Sequence, residues 1–543
     1  MVVKKSMNKV NFVKIVDSKS ATNIHVLADN ALTEKHVFMA ETCTVKHGGY
    51  VVVDFGKEIC GRVHVVFGYN ECEGKVRIRL GESVAEACAE LGQNNAGNYH
   101  SLRDAVYPVV CWSDFSTTES GFRFARIDPV GGADVNITAV YAEEDTNGLT
   151  MQGKFNCSDE RINDIFDVAA RTISLCVREK EIWDGVKRDR VVWIGDFYPE
   201  LVGAFNLYGV IPQFTRVLDM VSDFDGCWVN RIPSYSAWWL VCLAEYYKLS
   251  GDKSYVLQKL PYVYKILCDF DEIVQPDGNI CYSQSNNGMF DGNEFFVDWP
   301  THQTADSEIG WRYLLTYALQ QTKAFLAELG EPTANIEQTL ARLDMYDYKQ
   351  STFKQVTALG VLANRIDETT ATKLLRENVA NGMTAFMSCV IVKALQNLGE
   401  GEFALKVIRD YFGAMLDMGA TTFWEDFDMA WLADTPSPIT ALPNSERKNI
   451  HADYGKFCYK GLRHSLCHGW SSGFIDFFFG YVLGIAPTAV GYQSVSVNPH
   501  LCGLDFAEGE LPTRYGKIYV RHELSNGVVK STLRLPDGVI LTK

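Results

Sequence analysis

The sequence has no long apolar run and no excess of basic residues. Its longest apolar stretch, residues 474–486, contains Asp476 and is too short to span a bilayer. The chain carries 67 acidic residues against 51 Lys and Arg, which gives a formal net charge of −16. Because nucleic acids and anionic membrane surfaces attract basic proteins, this charge argues against both kinds of partner.

Cysteine occurs in an odd number, fifteen, and no two cysteines form a Cys-x-x-Cys pair. This spacing excludes zinc ribbons and is not that of a disulfide framework, so we expect mostly buried thiols in a reducing compartment. The first twenty residues contain lysines but no apolar core of signal-peptide length. We therefore expect a cytoplasmic protein.

The apolar content is sufficient for several folded domains. A hydrophobic fraction of 47% is ordinary for folded protein, and 543 residues correspond to three or four domains of about 150 residues each. Residues 1–150 hold short β-rich runs punctuated by glycine. In Lys75-Val-Arg-Ile-Arg-Leu, apolar and basic residues alternate, which predicts an antiparallel strand with its basic face in solvent. We predict an N-terminal β-sandwich over residues 1–150.

The periodicity becomes helical after Ser158. Ile162, Ile165 and Ala169 share one face of a helix that Ser158 is placed to cap. Comparable periodicity marks about twelve helical stretches near residues 158–177, 196–208, 211–223, 239–247, 254–274, 311–318, 333–345, 368–378, 383–397, 402–417 and 468–484, with a short one after Trp424. No sequence repeat is visible, so a superhelical repeat array is unsupported. A dozen helices between two β segments predict a ring of six helical hairpins, an (α/α)6 barrel, over residues 151–485.

The chain returns to strands after Gly484. Two β-rich runs, Lys517-Ile-Tyr-Val-Arg and Val528-Val-Lys-Ser-Thr-Leu, flank Ser525-Asn-Gly, which is a hairpin turn signal. We predict a small C-terminal β-sheet domain over residues 486–543.

The segment from Asp184 to Asp196, Asp-Gly-Val-Lys-Arg-Asp-Arg-Val-Val-Trp-Ile-Gly-Asp, carries the densest chemistry. It lies between two predicted helices, at one end of the helical region. A solvated, salt-bridged loop is one interpretation. A sugar site is the other, because carboxylates bind hydroxyls, an indole covers a sugar face and a carboxylic acid can protonate a leaving oxygen.

The segment Gly419-Ala-Thr-Thr-Phe-Trp-Glu-Asp follows an apolar helix. Glu425, beside Trp424, could supply the second carboxylate that glycosidases need across the site. An ordinary acidic helix N-terminus is the alternative.

A third segment, His464-Ser-Leu-Cys-His-Gly-Trp, places two histidines four residues apart. The glutamate of the His-Glu-x-x-His zinc motif is absent, so a hydroxyl-binding or structural histidine is the better interpretation. Gly469-Trp-Ser-Ser-Gly matches a nucleophile elbow by letters only, because no apolar strand precedes it.

These segments together resemble glycoside hydrolase family 78, the bacterial α-L-rhamnosidases. The family motif Asp-Cys-Pro-x-Arg-Glu-Arg-x-Gly-Trp-x-Gly-Asp is matched in register at Asp184, Arg188, Arg190, Trp193, Gly195 and Asp196. This chain has Gly185-Val186 for Cys-Pro, and Asp189 where the family has glutamate. The run from Gly419 to Glu425 resembles Gly-Ala-Thr-Thr-x-Trp-Glu, Cys467-His468 resembles an Asn-His pair and Val297-Asp-Trp299 resembles Gly-Asp-Trp.

The resemblance implies an inverting exo-glycosidase, an α-L-rhamnosidase, with Asp189 as general acid and Glu425 as general base. It implies substrate contacts from a further set of residues: Asp184, Arg188, Trp193, Asp196, Trp239, Trp299, Trp424 and His468. The expected partner is a carbohydrate, and neither a metal nor an organic cofactor is required.

Other functions remain open from the sequence. The change at Asp189 is compatible with a related six-hairpin glycosidase of different sugar specificity, or with an inactive carbohydrate-binding protein. A lyase or epimerase on a helical barrel would use Tyr or His as base instead of two opposed carboxylates. The sequence leaves the aglycone, the linkage and assembly into a homo-oligomer undetermined.

Overall fold

The structure is a computed structural model that describes residues 7–28, 41–70, 74–222, 228–282, 294–444, 446–456 and 460–542. Its elements follow the predicted order of strands, then helices, then strands. The protein is thus a multidomain chain of mixed α and β structure, with a small sheet region at its C-terminal end.

The N-terminal region forms an eight-stranded sheet. Its strands run β1 (Met7–Asn11), β2 (Lys14–Thr22), β3 (Cys43–Phe67), β4 (Lys75–Gly81), β5 (Asp104–Pro108), β6 (Asp114–Ser116), β7 (Ser120–Val130) and β8 (Val135–Asp145), with a short helix α1 (Val84–Cys88) after β4. The spatial order is β1-β8-β3-β7-β4-β5, and β2 and β6 pair with β3. The register of the long β3 against β7 shifts between Asp54 and Ile59, and the pairing continues on both sides of this irregularity. The sheet surrounds an apolar core.

Strand β4 confirms one sequence prediction and corrects another. It pairs antiparallel with β5 and β7, as the alternating pattern predicted. The predicted solvent face is wrong at Arg79, which is buried. Its guanidinium donates to both carboxylate oxygens of Asp128 on β7, at 3.1 and 3.0 Å. The alternation of apolar and basic residues shows that Arg79 is on the polar face of the strand. It does not show that a neighbouring strand supplies a carboxylate to pair with the arginine and bury it.

The central region is helical. Its helices are α2 (Glu160–Cys176), α3 (Ile194–Tyr208), α4 (Pro212–Ser222), α5 (Pro233–Ser250), α6 (Lys253–Ile273), α7 (Ala305–Leu329), α8 (Ala334–Leu343), α9 (Lys354–Leu362), α10 (Glu368–Arg376), α11 (Ser388–Asn397), α12 (Gly401–Asp417) and the short α13 (Ile475–Phe477). Among the described residues, none of these helices is long and apolar enough to cross a membrane.

Alternate helices contact one another in a closed succession. Helices α3, α5, α7, α9 and α11 contact one another in succession, and the 3₁₀ turn Gly469–Ser472 contacts both α11 and α3. Every residue of α3 and α9 is buried, whereas α4 buries only one face. Helices α3 and α9 therefore pack on all sides, whereas α4 keeps a solvent face.

Two helical predictions were wrong. Helix α9 was missed, because Lys354-Gln-Val-Thr-Ala-Leu-Gly-Val-Leu is short and buried all round and so lacks an amphipathic period. Residues 468–484 do not form one helix. They form the 3₁₀ turn Gly469–Ser472, then α13, then a π-helical turn over Phe478–Val482.

Two small sheets follow the helices. Strands β10 (Ile485–Pro487), β11 (Ser494–Val497) and β15 (Ile540–Leu541) form one, while β12 (Phe506–Thr513), β13 (Gly516–Ser525) and β14 (Val528–Arg534) join β9 (Lys154–Cys157) in the other. Asn526 and Gly527 have positive φ angles between β13 and β14, which confirms the predicted tight hairpin. The twelve cysteines in the described part of the chain are free thiols, and seven are buried.

Candidate active site

A cavity of about 460 Å³ lies where the N-terminal sheet meets one end of the helices. This volume is in the range of small-ligand sites. The cavity brings together residues from the segments 184–196, 297–299 and 464–470, and it is lined by His100, Asp184, Asp189, Val191, Trp193, Asp196, Ile232, Tyr235, Phe296, Trp299, Arg463, His468 and Trp470.

In the connection between α2 and α3, Asp184 closes the loop that carries Asp189. The Asp184 carboxylate accepts a hydrogen bond from the Val191 main-chain N–H at 3.1 Å, and its main-chain oxygen accepts one from Gly469 at 2.8 Å. Gly185 forms an isolated antiparallel bridge with His468. Trp193 precedes α3 as its N-cap residue and Asp196 lies in its first turn. The segments 184–196 and 464–470 are therefore joined through their main chains.

Asp189 lies at the exposed tip of this loop. Its φ is 58° and that of Arg190 is 54°, so two consecutive side chains adopt the left-handed conformation. Aspartate and asparagine tolerate this conformation better than other side chains, because their short polar groups bond locally. The backbone gives a physical reason for aspartate at position 189, where the family that the chain resembles has glutamate.

Arg188 joins Asp189 to Glu425. Its guanidinium is buried, and one terminal nitrogen contacts Asp189 Oδ2 while the other contacts Glu425 Oε2. The Nε donates to the main-chain oxygen of Arg463 at 2.8 Å. The two predicted catalytic carboxylates are therefore neighbours of one fixed cation.

Glu425 is held from all sides. Ser465 donates its main-chain N–H to Glu425 Oε2 at 3.0 Å and accepts the Glu425 N–H at 3.0 Å. Glu425 Oε1 lies 3.5 Å from His468 Nε2. Glu425 lines a recess of about 20 Å³ beside the main cavity, and Trp299 and Trp470 line both spaces. A space of this size holds about one water molecule.

His464 and His468 have different surroundings. His464 Nε2 accepts the Asp426 N–H at 2.8 Å, and burial lowers its pKa to about 3. His468 lines the cavity, and burial and then Arg188 lower its pKa well below the usual value. His468 Nδ1 has no hydrogen-bond partner among the described residues. His464 is thus a structural histidine, while His468 presents a neutral imidazole to the cavity.

Two carboxyl groups beside Asp189 favour the protonated form. Burial, with Asp189 and Glu425 nearby, raises the pKa of Asp184 to about 8. Burial and then the Asp184 carboxyl raise the pKa of Asp196 well above its usual value. A protonated carboxyl can both donate to and accept from a hydroxyl, so these groups are suited to binding sugar hydroxyls.

Aromatic side chains form the cavity walls, but not all of those expected. Trp193 and Trp299 line the cavity as predicted, and Trp193 packs edge-on against Tyr235. Trp239 is fully buried on α5, where its Nε1 donates to the Leu218 main-chain oxygen. Trp424 is 1% exposed behind the site. The structure does not bring Trp239 or Trp424 to the cavity wall, because both indoles are buried in the core.

A buried ion cluster ties the loop to the N-terminal sheet. The Lys187 ammonium lies 3.0 Å from Glu82 and 3.3 Å from Glu86, both next to or on α1. It also donates to the main-chain oxygens of Leu462 and His464. Glu82 in turn accepts the Leu466 N–H at 2.6 Å. One lysine thus fixes the loop that carries Asp189 against the segment that holds Glu425.

This cluster contains donors that could suit a metal ion. Ligand atoms of Glu82, Glu86 and His451 lie within 4.8 Å of one another. The Lys187 ammonium, however, contacts both carboxylates, and the His451 nitrogens bond Ser83 Oγ at 2.7 Å and the His464 oxygen at 2.9 Å. The donors are therefore already used within the protein.

Several cavity residues were missed by sequence reasoning. Ile232, Tyr235, Phe296, His100 and Arg463 all line the cavity. None lies in a recognisable motif. Trp470 could have been found, because it follows His468 by two residues.

Comparison with known proteins agrees with this picture. A family model described as the bacterial alpha-L-rhamnosidase C-terminal domain matches residues 484–542. A search of curated proteins finds no match. The fold is similar to the family 78 rhamnosidase of Bacillus sp. GL1, with a TM-score of 0.74, 21% identity and coverage of 95% of this chain and 55% of that one.

Two further solved structures share the fold. The Klebsiella oxytoca rhamnosidase with rhamnose bound has a TM-score of 0.69 at 19% identity, covering 88% of this chain and 96% of that one. The Streptomyces avermitilis α-L-rhamnosidase complexed with L-rhamnose has a TM-score of 0.71 at 14% identity, covering 99% of this chain and 50% of that one. The chain thus spans about half the length of the Bacillus and Streptomyces proteins. Its resemblance to the bacterial α-L-rhamnosidases is confirmed, over the C-terminal sheets by the family model and over most of its length by the fold.

Proposed function

We propose that this protein is an inverting exo-glycosidase, an α-L-rhamnosidase that releases terminal L-rhamnose. The observation that carries the proposal is the arrangement around Arg188: one carboxylate, Asp189, faces a sugar-sized cavity, and the other, Glu425, lines a water-sized recess beside it. Inverting glycosidases need this separation of roles, because a water molecule must stand between the sugar and the base.

In the proposed reaction, Asp189 gives its proton to the glycosidic oxygen as the bond from that oxygen to the anomeric carbon breaks. Water in the recess attacks the anomeric carbon from the opposite face, and Glu425 takes the proton that the water loses. The products are free sugar of inverted configuration and a leaving group that carries the hydroxyl. Asp189 ends ionised and Glu425 ends protonated, and exchange with solvent restores both.

The remaining cavity residues would bind the sugar. Asp184 and Asp196, with raised pKa values, can donate to hydroxyls, and His468 offers an imidazole nitrogen. Trp193 and Trp299 provide flat apolar faces for the sugar ring. No step needs a metal or an organic cofactor.

We further propose the domain arrangement that the resemblance implies. The inner succession of α3, α5, α7, α9 and α11, closed by the turn at residues 469–472, supports an (α/α)6 catalytic barrel over residues 151–485. An N-terminal β-sandwich would occupy residues 1–150 and a β-sheet domain residues 486–543. The active site then lies at the barrel end that the N-terminal domain covers.

A panel of nitrophenyl glycosides tests the substrate. We expect the α-L-rhamnoside to be cleaved fastest. Faster cleavage of another glycoside would indicate a related glycosidase, and tight sugar binding without turnover would indicate an inactive binding protein. Proton NMR of the earliest product tests the mechanism, because inversion gives the opposite anomer first and early retention of configuration would contradict it.

A further inference from the structure

His100 is a cavity residue that no sequence motif marks. It lies between the 3₁₀ turn Gln93–Asn95 and β5, in a connection of the N-terminal sheet. Its side chain is 56% exposed and lines the cavity with Asp189. The next residue fixes this connection to the loop that carries Asp189, because Ser101 Oγ donates to the Lys187 main-chain oxygen at 3.0 Å.

The hydrogen bond to Asp189 defines the state of the ring. The Asp189 main-chain N–H donates to His100 Nδ1 at 2.8 Å. A ring nitrogen that accepts a hydrogen bond carries no proton, so the neutral imidazole has its proton on Nε2. His100 therefore acts on Asp189 through the main chain, and the same nitrogen is farther, 3.5 Å, from the carboxylate Oδ1.

The main chain at this point needs support. Left-handed backbone is unfavourable for residues other than glycine, and here two such residues follow one another. Arg190 is fixed by its Nε, which donates to the Val186 main-chain oxygen at 2.9 Å, and by an ion pair with Glu119. At Asp189 the bond to His100 opposes relaxation of the turn.

We infer that His100 is a positioning residue that holds Asp189 where it can protonate the leaving group; the inference rests on the proposed hydrolase function. A general acid must come within about 2.6–3.2 Å of the oxygen that it protonates. The short side chain of Asp189 has little reach to compensate for a displaced backbone, and its carboxylate is also in contact with Arg188. The N-terminal sheet domain thereby contributes to catalysis without touching the reacting atoms.

Two variants and two substrates test this role. His100→Ala removes the acceptor, whereas His100→Asn retains a side-chain oxygen that can accept from the Asp189 N–H. On a rhamnosyl disaccharide we expect His100→Ala to lower kcat about 10- to 100-fold, as small misplacements of catalytic groups do. On nitrophenyl rhamnoside, whose leaving group needs little protonation, the loss should be much smaller. His100→Asn should recover most of the disaccharide rate.

Leu102→Ala is the control, because Leu102 is exposed on the same connection and does not line the cavity. It should leave both rates unchanged. Equal losses on the two substrates for His100→Ala, or a normal disaccharide rate, would overturn the positioning role. Nitrogen-15 NMR of the neutral imidazole gives a readout that does not depend on turnover. The Nε2–H tautomer supports the role and the Nδ1–H tautomer overturns it, whereas a wild type that cleaves no rhamnoside overturns the proposed function itself.

Discussion

The carboxylates of Asp189 and Glu425 contact the same guanidinium, but the protein holds them in opposite ways. Asp189 sits in left-handed backbone at a loop tip, with 23% of its side chain exposed and a partner, His100, from the N-terminal sheet. Glu425 is 1% exposed and bonds to Ser465 through both side chain and main chain. The proposed base is thus built into the core, while the proposed acid depends on a loop and on a neighbouring domain.

The difference has a chemical reason. A base that activates one water molecule works in a recess, and its position need not vary with the substrate. An acid must meet a leaving group that differs between substrates, so it lies at the mouth of the cavity. Substitutions at Glu425 should therefore affect every substrate, and substitutions at Asp189 should discriminate between them.

The largest effect is expected for Glu425→Gln. Glutamine keeps the size of the side chain but lacks the charge that draws a proton from water, so kcat should fall about 100- to 10,000-fold on every glycoside, with a much smaller change in KM. Steady-state kinetics on a nitrophenyl rhamnoside and a disaccharide measure this. The same change at Glu328, an exposed residue of α7, is the control. A correctly folded Glu425→Gln protein with near-normal kcat would exclude Glu425 as the base.

A large but selective effect is expected for Asp189→Asn. Asparagine tolerates the left-handed backbone as aspartate does, so the loop should keep its shape while the proton is lost. Cleavage of a sugar–sugar bond should slow by orders of magnitude, and an activated aryl glycoside should lose little rate. Kinetics on both substrates measure the ratio. Equal losses would assign Asp189 another task, such as ordering Arg188, and the acid would then be sought at Asp184 or Asp196.

A moderate, pH-dependent effect is expected at Asp298, which shares the recess with Glu425. Burial raises its pKa to about 7, against about 3.9 in the unfolded chain. Between these values the folded state binds more protons, so this group lowers the free energy of unfolding as the pH rises from about 4 to about 7. Asp298→Asn does not titrate. Its stability relative to the wild type should therefore increase across this range.

Denaturant unfolding at several pH values measures that trend. The matched control is Asp537→Asn, at an exposed turn, which should show no such increase. A stability difference between Asp298→Asn and the wild type that is independent of pH would contradict a protonated Asp298.

The smallest kinetic effect is expected for Trp239→Phe. Because Trp239 is a core residue on α5, the change should leave KM and kcat unchanged and lower the free energy of unfolding by about 1–2 kcal/mol, through loss of its hydrogen bond and ring volume. Trp299→Ala, at the cavity wall, should instead raise KM. A raised KM for a correctly folded Trp239→Phe protein would indicate that Trp239 contributes to substrate binding.

The sequence predicted the order of the elements and most helix positions, because apolar residues at helical spacing mark a half-buried helix. It missed α9, which is buried all round and so shows no amphipathic period, and at residues 468–484 it predicted one helix where the chain forms a 3₁₀ turn, the short α13 and a π-helical turn. In the site, the motif residues Asp184, Asp189, Trp193 and Asp196 do line one cavity. Trp239, which lies in none of the matched motif segments, does not.

By itself the sequence determined which segments carry chemistry, since carboxylates, arginines and indoles at fixed spacing in a loop are visible without a fold. Only the tertiary structure decided that Arg188 lies between Asp189 and Glu425, which are 236 residues apart in the chain. It decided that His100, in a connection of the N-terminal region, accepts the Asp189 main-chain N–H. It also decided that Arg79 is buried and Trp239 is not at the cavity. The physical reason is that local periodicity reports which face of an element is buried, whereas the partner it meets there is set by packing between elements distant in sequence.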